Sequence, residues 1–138
     1  MLPYLADIGY RAVAYMPPRN SARQLARIRE LCSRAGLMEI SGVDINSSRQ
    51  SFNCPEVLDP SMAHLVDATW ALIAHERLSG LDSRYGLFSA DNPLARLPIG
   101  ERIATYGAIG RGIDKAEPDD PATLVRLAGN LELKHGIA

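Results

Sequence analysis

Hydrophobic and polar positions alternate in blocks over the first third of the chain, and the blocks predict a βαβ unit. Two short apolar runs, Arg11–Met16 and Leu37–Ser41, have the length of buried strands. The segment between them, Ser21–Ala35, places apolar residues at helical intervals, begins with a capping-box spacing and is followed by Gly36. We therefore expect two parallel strands joined by a right-handed helical crossover.

The rest of the chain is predicted to be mainly helical. The expected helices are Leu2–Ile8, ended by Gly9, then Asp59 to about Gly80, Gly100–Ala108, and Asp120 to about Lys134, with a loop over Leu81–Pro98. Gly107, Gly110 and Gly112 follow no strand, which is the wrong order for a dinucleotide-binding loop, and are interpreted as a turn. Residues 1–54 then form the βαβ portion, and residues 55–138 form a helical portion of the same domain.

Composition narrows the class of protein. The chain has 138 residues, 46% hydrophobic and 22% charged, which is ordinary for one soluble globular domain. A net charge of −1 gives no long-range electrostatic attraction toward nucleic acid or an anionic membrane, so neither is expected as a partner. No apolar run approaches the ~20 residues of a membrane-spanning helix, and no signal peptide is visible. Cys32 and Cys54 are too few for a disulfide scaffold, so we expect a cytoplasmic protein.

The end of the second predicted strand is the first candidate site. The string Ser41-Gly42-Val43-Asp44-Ile45-Asn46 delivers a carboxylate and an amide two residues apart, just beyond an apolar run. In parallel α/β sheets chemistry gathers beyond the carboxyl ends of the strands, so Asp44 and Asn46 are the first candidate site residues. In the alternative interpretation, Asp44 caps a turn and Asn46 only tolerates a left-handed backbone.

Two arginines follow the two strands and are candidate substrate-binding residues. Arg19 comes after the first strand and Arg49 after the second, so both are expected near the edge that carries Asp44. Guanidinium groups there would suit a small molecule bearing phosphate or carboxylate. The alternative is that both arginines are ordinary surface residues.

The remaining residues with reactive side chains do not form a recognisable motif. His64 and His75 are eleven residues apart, about three helical turns, and no His-Glu-x-x-His is present. We expect structural or surface roles for both. Cys54 has no evident histidine partner in the sequence, so a nucleophilic thiol is not expected.

The order βα-β-turn-helix, with Ser41-Gly42-Val43-Asp44-Ile45-Asn46 at its second strand end, resembles the C-terminal part of a polymerase-and-histidinol-phosphatase (PHP) domain. The likeness covers roughly residues 10–80 and implies part of a distorted βα barrel whose multinuclear metal site hydrolyses phosphoesters. It implies that Asp44 is a metal ligand, whereas Asn46 stands where the family has histidine. An amide oxygen suits Mg²⁺ better than Zn²⁺, and the cofactor is expected to be a divalent metal ion, Mg, Mn or Zn.

The family's other ligands, including its N-terminal His-x-His, are absent from these residues. The expectation is therefore that this chain is the C-terminal portion of such a hydrolase, inactive by itself, with a missing N-terminal portion or a homo-oligomer covering an open sheet. Two alternatives remain open. The chain is a fragment of another βα barrel, of the amidohydrolase or sugar-isomerase type, or it is a non-catalytic α/β module that packs against a partner chain.

Overall fold

The structure, a computed structural model, describes residues 2–43, 45–50, 53–115 and 120–133, and its fold is mixed α/β. Its regular elements are α1 (Leu2–Asp7), β1 (Ala12–Tyr15), α2 (Ala22–Ala35), β2 (Met38–Ser41), α3 (Ala63–Leu81), α4 (Ile99–Lys115) and α5 (Pro121–Leu133). Short 3-10 turns occupy Pro17–Arg19, Pro55–Leu58, Pro60–Met62 and Ser83–Tyr85. The chain divides into two compact units, Met1–Ala68 and Thr69–Ala138.

The predicted βαβ unit is confirmed in the first unit. β1 and β2 pair in parallel, with Ala12 opposite Met38 and Tyr15 opposite Ser41. The capping box predicted for α2 is present, because Ser21 and Gln24 each accept a hydrogen bond from the other's backbone N–H. Gly36 then ends α2 in the left-handed conformation, at φ 63°, which glycine adopts without steric cost.

A small apolar core joins the helices of the first unit to the sheet. Cys32 on α2 and Leu37 just before β2 are buried. Partly buried apolar side chains from α1, β1 and α2 pack against this pair: Leu5, Ala6, Val13, Ile28, Leu31 and Ala35. Val13 and Tyr15 are two residues apart on β1 and so lie on the same face of the sheet. Tyr15 therefore extends this buried face toward the carboxyl end of the strand.

The second unit is helical, as predicted, but one expected turn is wrong. Gly107, Gly110 and Gly112 lie inside α4, which continues to Lys115 instead of ending near Ala108. The physical reason is packing against α3: a Cβ on Gly110 would stand 2.0 Å from the backbone oxygen of Trp70. Gly110 thus allows two helices to approach closely, and the other two glycines are tolerated within the same helix.

A buried hydrogen-bond network organises the segment between α3 and α4. Asn92 is 4% exposed, and its amide nitrogen donates to the Gly86 carbonyl at 2.9 Å and to the Tyr106 hydroxyl at 2.5 Å. Its amide oxygen accepts from the backbone N–H of Leu94 at 2.8 Å, and the Tyr106 hydroxyl donates to the Tyr85 carbonyl at 2.6 Å. Side chains therefore satisfy backbone groups that no regular element pairs.

Within the part of the chain that the structure describes, no helix combines the length and apolar character needed to cross a membrane.

Candidate functional site

The carboxyl ends of β1 and β2 lie side by side. Tyr15, the last residue of β1, is opposite Ser41, the last residue of β2, and its carbonyl accepts from the Gly42 N–H at 3.1 Å. The two following loops therefore leave the sheet from the same edge. We call this edge, with the segments Met16–Asn20 and Gly42–Gln50, the carboxyl edge.

The structure describes only one of the two predicted metal ligands. Asp44 lies outside the described residues, so its placement stays a prediction. Asn46 is exposed, and its backbone N–H donates to the Gln50 side-chain oxygen. Gln50 also accepts from the Ser47 N–H at 3.1 Å, and its own N–H donates to the Ser47 carbonyl at 3.1 Å. Gln50 thus closes a local turn that holds Asn46 at the carboxyl edge.

The predicted substrate-binding arginines are both exposed at this edge. Arg19 ends the 3-10 turn after β1, and Arg49 lies in the turn that Gln50 closes. Neither guanidinium has a hydrogen bond or ion pair with another described residue. The structure therefore shows no contact that brings Arg19, Arg49 and Asn46 together, and leaves both cations accessible to a ligand.

Tyr15, Glu39 and His64 form a polar cluster, which we call the Tyr15 cluster. Its member on β1, Tyr15, is the residue at which that strand ends. The Tyr15 hydroxyl donates to Glu39 Oε2 at 2.9 Å and lies 3.0 Å from His64 Nε2. His64 Nε2 is also 3.5 Å from Glu39 Oε2. β1, β2 and the first turn of α3 each supply one member, so the cluster ties the start of α3 to the sheet.

The geometry of the Tyr15 cluster places its protons. The phenol has one proton, which it donates to Glu39, so its oxygen can only accept from His64. In this arrangement His64 is the donor to the Tyr15 oxygen, through Nε2. Burial, followed by the hydrogen bond to Glu39 and its negative charge, raises the pKa of Tyr15 well above its usual range. The phenol is therefore neutral, and the cluster is suited to a structural role that holds β1, β2 and the first turn of α3 together.

We expect Tyr15→Phe to lower the free energy of unfolding by about 1–2 kcal/mol at neutral pH, because Glu39 and His64 lose the hydroxyl between them. The raised pKa of Tyr15 also makes the free energy of unfolding depend on pH. The unfolded chain loses this proton near the ordinary pKa of 10.0, whereas the folded chain retains it. The wild type should thus lose up to about 1.4 kcal/mol per pH unit above pH ~10, and Tyr15→Phe should lose less.

Urea unfolding at neutral and alkaline pH measures both effects. Tyr10→Phe is the matched control, because the Tyr10 side chain is exposed and should be insensitive to the change. An equal alkaline loss of stability in wild type and Tyr15→Phe would show that Tyr15 is not the group responsible.

The free thiols do not point to nucleophilic chemistry. Burial raises the pKa of Cys32 to about 11, and burial followed by a hydrogen bond to Glu56 raises the pKa of Cys54. Both thiols are therefore protonated near neutral pH.

The described residues contain no group of three or more His, Cys, Asp or Glu side chains that could hold a metal ion. The two metal ligands proposed from the sequence offer the carboxylate of Asp44 and the amide oxygen of Asn46. Two oxygen donors suit Mg²⁺ or Mn²⁺ in kind, but such ions take about six ligands. A metal site here needs further ligands in addition to these two residues.

No family model, no curated protein and no solved structure matches this chain.

Proposed function

We propose that this chain supplies part of the site of a metal-dependent hydrolase acting on phosphoesters, as its resemblance to PHP domains implies. The observation that supports the proposal is the in-register parallel pairing of β1 and β2, in which Tyr15 and Ser41 end together. Loops that leave parallel strands at one edge are where α/β enzymes place their binding and catalytic groups.

The proposed metal ligands are Asp44 and Asn46. Both follow β2 by a few residues, and the turn closed by Gln50 holds the exposed Asn46 at the carboxyl edge. A carboxylate and an amide favour a hard cation, Mg²⁺ or Mn²⁺, over Zn²⁺. The remaining ligands would come from another segment or chain. A divalent cation held there would polarise the phosphoryl group and activate water for its hydrolysis.

Arg19 and Arg49 are proposed to bind the phosphoryl oxygens of the substrate. Each guanidinium is exposed and makes no ion pair with a described carboxylate, so binding a phosphate breaks no existing contact that the structure shows. Arginine presents several donors in a plane and can contact two oxygens of one phosphate at once. Their role is to bind and orient the substrate.

The proposal predicts that Asp44→Ala lowers phosphodiesterase turnover about a hundredfold or more, because a metal ligand is lost. The measurement uses the full-length protein with Mn²⁺ and bis-p-nitrophenyl phosphate. Arg19→Gln and Arg49→Gln should raise KM more than they lower kcat, since they remove binding to the phosphate. Asp91→Ala is the matched control, because Asp91 is an exposed acid in the second unit. Equal turnover in wild type and Asp44→Ala would refute the hydrolase.

One observation favours a second candidate, a non-catalytic module that joins the sheet of a partner chain. Among the described residues the sheet has two strands, so β1 and β2 are each paired on one side only. An open edge can pair with another strand. This candidate predicts no turnover in wild type or Asp44→Ala and the same partner binding in both, while Ala14→Pro in β1 abolishes partner binding.

A further inference from the structure

We propose that a groove along α2, next to the end of β1, binds a small organic phosphate with a flat apolar body. The groove has a volume of about 410 Å³, within the range that small-molecule sites occupy. It is formed entirely within the first unit. Its proposed ligand needs neither a metal nor Asp44, so the inference is independent of the proposed hydrolase.

The polar part of the groove is suited to an anion. Arg23 and Arg27 both line it and are four residues apart on α2, which places them one above the other on the same helix face. Asn20, just before α2, adds an amide whose side chain bonds to no other described residue. Two guanidinium groups and an amide donor that line one groove match the several acceptor oxygens of a phosphate.

The existing contacts leave these cations available. Arg23 has no ion pair with a described carboxylate. Arg27 pairs with Glu30 at 2.7 Å, and this pairing lowers the pKa of Glu30. Both side chains of that pair are more than half exposed, so solvent screens it and a phosphate can replace it. Gln24 also lines the groove, but its side chain is already engaged in the capping box of α2.

The other part of the groove is an apolar wall. Ile28 and Leu31 line it and also pack on the buried Cys32 and Leu37, so the core holds them in place. The Tyr15 ring, only 8% exposed, completes the wall, and its hydroxyl is fixed by Glu39 and His64. A preformed apolar wall beside cationic groups favours a ligand with a ring attached to its phosphate.

Calorimetric titration of the full chain with phenyl phosphate at low salt tests the inference. Phenyl phosphate should bind about tenfold more tightly than inorganic phosphate, because only the former contacts the apolar wall. Arg23→Gln should weaken its binding about fivefold or more. Glu30→Gln should strengthen it about twofold to threefold, because Arg27 is released.

Two controls make the test specific. Arg126→Gln removes the same charge from an exposed position on α5 and should leave the affinity unchanged. In metal-free buffer, where the proposed hydrolase site holds no cation, Asp44→Ala should also bind phenyl phosphate as the wild type does, which separates this groove from that site. The inference is overturned if inorganic phosphate binds equally well, if Arg23→Gln has no effect, or if either control weakens binding as much as Arg23→Gln.

Discussion

Replacing Gly110 by alanine is expected to lower the free energy of unfolding by about 2–3 kcal/mol, or more if α3 and α4 cannot separate. An added Cβ would stand 2.0 Å from the backbone oxygen of Trp70 and 2.7 Å from its carbonyl carbon. Backbone atoms cannot rotate away as a side chain does, so the helices themselves must move apart. The gain in helix propensity from glycine to alanine, about 1 kcal/mol, is smaller than this cost.

Gly112 offers a matched control two residues further along α4. A Cβ on Gly112 would meet nothing within 4 Å, so Gly112→Ala should stabilise the protein by up to about 1 kcal/mol. Urea unfolding measures the stability of both variants. It can be followed by the fluorescence of Trp70, which is the one tryptophan of the sequence and the residue that Gly110 approaches. Equal changes at the two positions would contradict the close approach of α3 and α4.

Replacing Asn92 by alanine is expected to cost about 3 kcal/mol, the second large effect. Its amide makes three hydrogen bonds to the Gly86 carbonyl, the Tyr106 hydroxyl and the Leu94 N–H. Each buried polar group left without a partner costs about 1–3 kcal/mol. The segment before α4 depends on these bonds, because only short turns, and no α-helix or strand, pair its backbone.

Chemical unfolding of three variants tests this network. Asp91→Ala, at the exposed neighbouring position, should change the stability by less than about 0.5 kcal/mol. Tyr106→Phe should cost about 1–2 kcal/mol, and adding it to Asn92→Ala should cost less than the sum of the two single changes. Additive effects, or an Asn92→Ala variant no less stable than Asp91→Ala, would show that the network does not act as a unit.

The sequence predicted the βαβ unit because its signals are local. The capping box of Ser21 and Gln24, the left-handed Gly36 and the two short apolar runs each act within a few residues, and the structure confirms them. Because sequence signals are local, they also predict a turn at the glycines of α4, and this prediction is wrong. Gly110 lets α4 approach Trp70 of α3, a contact between helices that no local pattern reveals.

The candidate site was predictable only where it follows the strand ends. The sequence predicts Arg19, Arg49, Asp44 and Asn46 as site residues from their position after β1 and β2, and their roles stay predictions. The Tyr15 cluster was missed, although Glu39 gave a signal: a charged residue within an apolar strand must find a partner. The groove was missed because Arg23 and Arg27 fit the polar face of an amphipathic helix, and only the structure sets them beside Tyr15, Ile28 and Leu31.

The proposed hydrolase requires Asp44 to bind a divalent cation. Titration of the full-length protein with Mn²⁺, followed by electron paramagnetic resonance, measures this directly. We expect a bound Mn²⁺ signal in the wild type and in Asp91→Ala, and an affinity about tenfold or more lower in Asp44→Ala. The same Mn²⁺ affinity in wild type and Asp44→Ala, or no bound Mn²⁺ in either, would contradict the claim.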